Sequence, residues 1–211
     1  MMIDLCNRLV DNDLSREELL PRIDVVKTTL DDAKSLIMLL AKCFNLSSEF
    51  EAYMQLKQSQ ALLTESVKAV DRETGDIYGF LLLCDYPIID GSPIRIISPR
   101  VSWMLSLPSQ INGHSFFIDE RLRGTGIDKK MLDLLWDYIS QYDMIWCAVE
   151  KDLKSHNYWR RMGFEKLFSI SEATFYAMPC NERAAEDIYY IAEAFKDEEH
   201  HIDGEQDTYI A

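Results

Sequence analysis

Over residues 116–139, FFIDERLRGTGIDKKMLDLLWDYI, an apolar run ends in two acids, Asp119 and Glu120. It then passes through Arg121, Arg123, Gly124 and Gly126 and opens directly into an amphipathic segment. A strand that turns on glycines into a helix aims several unpaired main-chain N–H groups at one spot, with the positive end of the helix dipole behind them. Such a spot binds phosphate. A side chain on Gly124 or Gly126 would hold a ligand away from those amides, and the turn calls for positive φ. Arg121, Arg123, Lys129 and Lys130 add cationic charge around it. The spacing is not GxxxxGK[ST], and GTGIDK lacks the third glycine of GxGxxG, so neither a P-loop nor a Rossmann dinucleotide site is indicated. A GxG turn also occurs for purely steric reasons, so the corner needs support from the rest of the chain.

The elements that must position this corner read as mixed α/β. IDVVKTTL reads as a strand, and Ala33, Leu36, Ile37, Leu40, Ala41 and Phe44 fall at helical spacing over 31–44. A second helix is predicted from Ser48 to about Leu62, with the serine as its cap. TESVKAV and DIYGFLLLC make a hairpin about the turn Asp71–Gly75. From His114, HSFFID is a strand, 126–140 a helix, and MIWCAV a strand apolar on both faces, which makes a parallel crossover. LKSHNYWRRMGF is a helix stopped by Gly163, FEKLFS and TFYAMP close as an antiparallel pair, and 182–196 forms an amphipathic helix. The segment 85–113, with four prolines, receives no firm assignment beyond an edge strand and a long loop of the kind that binds ligands. One domain over 22–180 is expected, with an N-terminal arm or short helix over 1–21 and a C-terminal helix and acidic tail over 181–211.

The net charge is -14 over 211 residues, but residues 181–211 account for -8 and residues 1–21 for -3. The body is therefore only slightly acidic, and binding to nucleic acid through a basic face is not expected. The five cysteines show no CxxC spacing, so neither a disulfide framework nor a metal site is suggested, and a cytoplasmic setting fits best. No apolar run is long enough to span a bilayer.

RLRGTGIDKKMLDLL, followed by NYWRRMGFEKL, resembles the GNAT superfamily of N-acetyltransferases. That family carries a Q/R-x-x-G-x-G/A motif between its fourth strand and the next helix, and an aromatic helix ending in GF. The resemblance covers 22–180 in element order and 116–166 in residues. It implies a mostly antiparallel sheet whose central pair is parallel and splayed, and acetyl-coenzyme A as co-substrate. The coenzyme site it implies is Phe117, Ile118, Arg121, Arg123, Gly124, Thr125, Gly126, Ile127, Asp128 and Lys129. Two registers are open. The motif starts at Arg121, or at Arg123 with Asp128 where a small residue is usual, and there the carboxylate either opposes the diphosphate or turns outward onto the first helical turn. The tyrosine that protonates the leaving thiolate in many members falls at Trp159, with Tyr158 about 100° around the helix. Either Tyr158 reaches in, or the thiolate takes its proton from water, or no transfer occurs.

Acyl transfer to an amine needs an N–H donor for the developing oxyanion and a route for the amine proton. The strand end at Phe117 and Ile118 supplies the donor. Asp119 or Glu120 takes the proton, directly or through water, with His114 in reserve. The reading is thus an N-acyltransferase acting on a small-molecule or peptide amine, able to form a homodimer. The alternative is an inactive GNAT-fold module that binds coenzyme A or serves regulation.

Overall fold

The computed structural model describes residues 8–44, 46–58, 61–84, 88–89, 92–93, 104, 109–150, 156–170, 173–182, 184–186, 188–190 and 192–193. Seven strands of the described residues build the main sheet: β1 (Ile23–Lys27), β2 (Val67–Asp71), β3 (Ile77–Cys84), β4 (Gln110–Ile118), β5 (Met144–Glu150), β6 (Glu165–Ser169) and β7 (Ala173–Pro179). They form one sheet in the order β1-β2-β3-β4-β5-β7-β6. Every neighbouring pair is antiparallel except β4 and β5. β3 lies at the centre of the first half and is buried at every position, as a strand covered on both faces must be.

β4 and β5 are paired only from Gln110↔Met144 to Asn112↔Trp146. Beyond Asn112 the two part, while β4 continues to pair with β3 as far as Ile118 and β5 with β7 as far as Glu150. The departure coincides with a bulge. Gly113 pairs with Leu83 and Ser115 with Leu82, which leaves His114 as the extra residue. A bulge bends its strand and raises the local twist. The sheet therefore opens into a V along the inner edge of β4, the mostly antiparallel sheet with a splayed parallel pair that the family resemblance implies.

Among the described residues the helices include α1 (Arg16–Leu19), α2 (Ala33–Cys43), α3 (Glu49–Gln58), α4 (Ile127–Ile139) and α5 (His156–Arg161). On one face of the sheet, Ile127, Met131, Leu135 and Ile139 of α4 and Trp159 of α5 pack with Ile111, Ile118, Ile145 and Val149. On the other, Leu36, Leu40 and Cys43 of α2 and Ala52 and Leu56 of α3 pack on Phe80, Leu82 and Phe117. Met144, Trp146, Phe168, Phe175 and Ile188 form a third cluster on the β5–β7 half.

Two expectations shift at their edges. The strand expected from His114 begins at Gln110, because residues 110–112 pair with β5 before the bulge. The helix expected over 48–62 ends at Gln58, while the Ser48 hydroxyl accepts from the Glu51 amide at 3.2 Å as its cap. Most of 85–113 lies outside the described residues; Ile88–Ile89 and Ser92–Pro93 form a small antiparallel ribbon. The C-terminal helix is seen at 182, 184–186, 188–190 and 192–193, with Ala184 and Ile188 buried. Among the described residues no helix is long and apolar enough to cross a membrane.

The N-terminal arm is built into the body. A capping box between Ser15 and Glu18 starts α1, which seats Leu19, with no exposed surface, in the α4-side core, while Leu9 enters the α2-side core. Leu19→Ala is expected to lower unfolding free energy by about 2–5 kcal/mol, measured by urea denaturation. A loss under about 0.5 kcal/mol, the size typical of a surface change, would mean that the arm is not part of the core.

Candidate functional site

The chain leaves β4 with the Asp119 amide donating to the Tyr78 carbonyl of β3 (2.9 Å). It makes a 3-10 turn over Glu120–Leu122 and enters α4 through Gly124 (φ +72°) and Gly126 (φ +83°). Both glycines are left-handed, where a Cβ is disfavoured. A Cβ built on either would touch nothing within 4 Å. Conformation, not crowding by the protein, requires glycine there, and the space above the turn is open.

The amides at this corner fall into two sets. Those of Leu122, Arg123 and Thr125 donate to the carbonyls of Asp119, Glu120 and Leu122 at 2.9–3.3 Å. That of Lys129 donates to the Asp128 carboxylate (2.9 Å) and that of Lys130 to the Gly126 carbonyl (3.0 Å). The amides of Gly124, Gly126, Ile127 and Asp128 meet no acceptor among the described residues. They stand at the positive end of a thirteen-residue helix, the arrangement that holds an anion. By bonding the Lys129 amide, Asp128 serves the first turn of α4.

Asp119 and Arg121, at the strand end, face inward. Arg121 is only 8% exposed. Its guanidinium grips the Asp119 carboxylate in a two-pronged ion pair (2.8 and 3.0 Å). It also donates to the carbonyls of Val10, Asn12 and Leu14 and to Asn12 Oδ1 (2.7–3.3 Å), and it lies over the Tyr78 ring. The fully buried Asp119 accepts in addition from the amides of Leu9 (2.9 Å) and Arg121 (3.1 Å). Burial pushes the Asp119 pKa up, but Arg121 and the two amides outweigh it and hold the group below the ordinary carboxylate range. A carboxylate so low in pKa and so fully bonded is a poor proton acceptor. In this geometry Asp119 and Arg121 join the N-terminal arm to the strand end and do not face a ligand. Arg123 Nε donates to the Ile118 carbonyl (3.2 Å), and Glu120 pairs with Arg8 of the arm (3.0 Å). Lys129 and Lys130 are exposed beside the open amides, and the Thr125 hydroxyl closes the turn onto the Leu122 carbonyl (2.6 Å).

The inner edge of β4 follows from strand alternation. Since the Asp119 amide points to β3, Phe117 does too, and Phe116 and Ile118 present their main-chain groups to the opening V. Of the two residues expected there, Ile118 is so placed. Phe117 stacks on Phe80 (6.2 Å) in the α2-side core, and Phe116 is the residue that sequence reasoning missed. Phe116 carries the aromatic helix on its ring, with Tyr158 stacked at 5.6 Å and Trp159 edge-on at 5.7 Å. Trp159 is 3% exposed, packed against Phe164, and its Nε1 finds no acceptor among the described residues. Tyr158 is the more accessible of the two, and its hydroxyl faces the Asp128 carboxylate. Burial and that carboxylate push its pKa far above the ordinary phenol value, so it keeps its proton. At the bulge, burial lowers His114 to about 3, so its imidazole is neutral and weakly basic near pH 7. Among the described residues there is no cluster of metal-ligating side chains.

No model of a known protein family matches the sequence, and no curated protein sequence matches it significantly. Solved structures do match the fold. FeeM, an N-acyl amino acid synthase from uncultured soil microbes, superposes with a TM-score of 0.55 at 12% identity, covering 76% of this chain and 92% of its own. The GNAT family N-acetyltransferase YhbS from Escherichia coli, solved in complex with coenzyme A, gives 0.52 at 18% identity, covering 77% and 84%. Ard1 from Thermoplasma volcanium gives 0.52 at 14% identity, covering 76% and 99%. The chain has the fold of the GNAT N-acetyltransferases.

Asp119→Ala would leave the Arg121 guanidinium buried and unpaired, with an expected cost of about 3–5 kcal/mol. A depressed pKa contributes stability above the ordinary carboxylate value, about 3.9, and that stability is lost as pH falls below it toward the folded pKa. Asp32 and Asp71 are likewise held low, against burial, by hydrogen bonds and their cationic partners. Melting temperature should therefore drop steeply below about pH 4, and Asp119→Asn should show a shallower drop. Parallel curves for the two proteins would contradict the role given to Asp119.

Proposed function

We propose that the chain is an N-acetyltransferase that moves an acetyl group from acetyl-coenzyme A to a primary amine of a small molecule or peptide, by direct attack with both substrates bound. The observation that carries the reading is the set of four acceptor-less amides, at Gly124, Gly126, Ile127 and Asp128, at the mouth of the V between β4 and β5.

These amides hold the diphosphate, and the open space over the two left-handed glycines accommodates it. Exposed Lys129 and Lys130 raise the local anion concentration. The inner edge of β4 at Phe116 and Ile118 hydrogen-bonds the extended arm of the co-substrate, as an added strand would. A main-chain N–H on that edge, aimed where charge develops, stabilises the oxyanion of the tetrahedral intermediate. Tyr158, protonated over the whole working range, supplies a proton to the departing sulfur. Trp159 packs the helix and takes no chemical part. With Asp119 bonded to Arg121 and His114 weakly basic, the amine proton leaves to water or to Glu120, and the amine that attacks is already neutral. YhbS, of the same fold, was solved with coenzyme A, in keeping with this reading.

Acetyl-coenzyme A at about 100 times its dissociation constant is expected to stabilise the protein by roughly 2.7 kcal/mol, seen as a rise in melting temperature. Gly126→Val should abolish the rise. Thiol release across a panel of amines then reports transfer, and Tyr158→Phe should slow it by about 10²-fold or more while leaving the thermal shift intact. A thermal shift without thiol release for any amine would favour a coenzyme A-binding module instead. No thermal shift at all would remove both readings.

A further inference from the structure

The N-terminal arm reaches the coenzyme corner through one side chain. The capping box of Ser15 and Glu18 begins α1, and the buried Leu19 plugs its last turn, so Arg16 at the first helical position is held against the turn that follows β4. Arg16 Nε donates to the Arg121 carbonyl (2.7 Å), and its Nη2 donates to the Arg123 carbonyl. The second bond bears on the site. The peptide joining Arg123 to Gly124 is trans, so its carbonyl and its N–H point in opposite directions. A cation fastened to the carbonyl therefore fixes the plane of that peptide and turns the Gly124 N–H outward, where it meets no acceptor among the described residues. The same cation polarises the peptide and strengthens the N–H as a donor. Gly124, left-handed and without a Cβ, could otherwise rotate this plane at little cost.

We propose that Arg16 is a positioning residue for diphosphate binding: by holding the Arg123 carbonyl it aims the Gly124 amide at the anion, and so it sets the affinity for the co-substrate without touching it. The inference rests on the transferase reading for the identity of the ligand. Of the cations adjacent in sequence, Arg121 is buried on Asp119 and the exposed Arg123 donates to the Ile118 carbonyl, and the arm supplies the orienting charge from more than a hundred residues away.

The test is titration calorimetry of the full chain with coenzyme A and with pantetheine, which lacks the diphosphate, on the wild type, Arg16→Ala and Arg16→Lys. Arg16 is exposed, so both variants should keep the wild-type melting temperature within a few degrees. Arg16→Ala should weaken coenzyme A binding roughly tenfold and leave pantetheine binding unchanged. Arg16→Lys, a point donor unable to bridge two carbonyls, should fall between them. Equal coenzyme A affinity in wild type and Arg16→Ala would overturn the inference, and so would an equal loss for both ligands, which marks a general structural role. If the wild type fails to bind coenzyme A, the transferase reading falls with it; the other two failures leave that reading standing.

Discussion

β4 and β5 share three residue pairs and then separate, and the site proposed for this chain depends on that separation. A strand in mid-sheet normally spends its main-chain donors and acceptors on two neighbours. Here β4 keeps β3 as its partner to the end and gives up β5 after Asn112, with the extra residue His114 at the point of departure. The missing bonds can be tolerated only where water or a ligand replaces them, and the core of α4 and α5 packs across both halves of the sheet beside the gap. The turn beyond Ile118 extends the same condition, since four more amides at the start of α4 lack acceptors among the described residues. A V lined on one side by the inner edge of β4 and closed at one end by a helix N-terminus suits a long flexible ligand with an anionic middle.

Side-chain charge plays a different part from the one its place in the sequence suggests. A pair of acids and a pair of arginines beside a glycine turn look like catalytic and phosphate-binding groups. Asp119 and Arg121 instead neutralise each other, and together they collect an amide and three carbonyls of the arm that would otherwise be buried without partners. The desolvation cost of two buried charges is offset only by such complete bonding. The proposed anion site rests on main-chain dipoles and two exposed lysines.

The sequence carried the fold well where periodicity was strong. The α4 stripe, the doubly apolar β5 and the stop at Gly163, left-handed at φ +90°, all stand where the pattern puts them. The glycine corner was legible because positive φ and bare backbone leave glycine as the residue of choice. Partners were not legible. No local pattern tells that Arg121 will face Asn12 and Val10, because those contacts join residues more than a hundred apart. The exchange of Phe117 for Phe116 on the inner edge turns on strand parity, which shifts by one with the bulge at His114, and a bulge leaves little trace in residue type. Tyr158 and Trp159 were ambiguous for a related reason: the rotation of a six-residue helix is set by what it packs on, here the Phe116 ring.

The amides opening α4 form the proposed anion site at the mouth of the split sheet. Amide-resolved nuclear magnetic resonance during titration with acetyl-coenzyme A tests it most directly. The largest shifts are expected on Gly124, Gly126, Ile127 and Asp128, with a second group along Phe116–Ile118. Shifts centred elsewhere in the chain, with these amides unmoved, would contradict it.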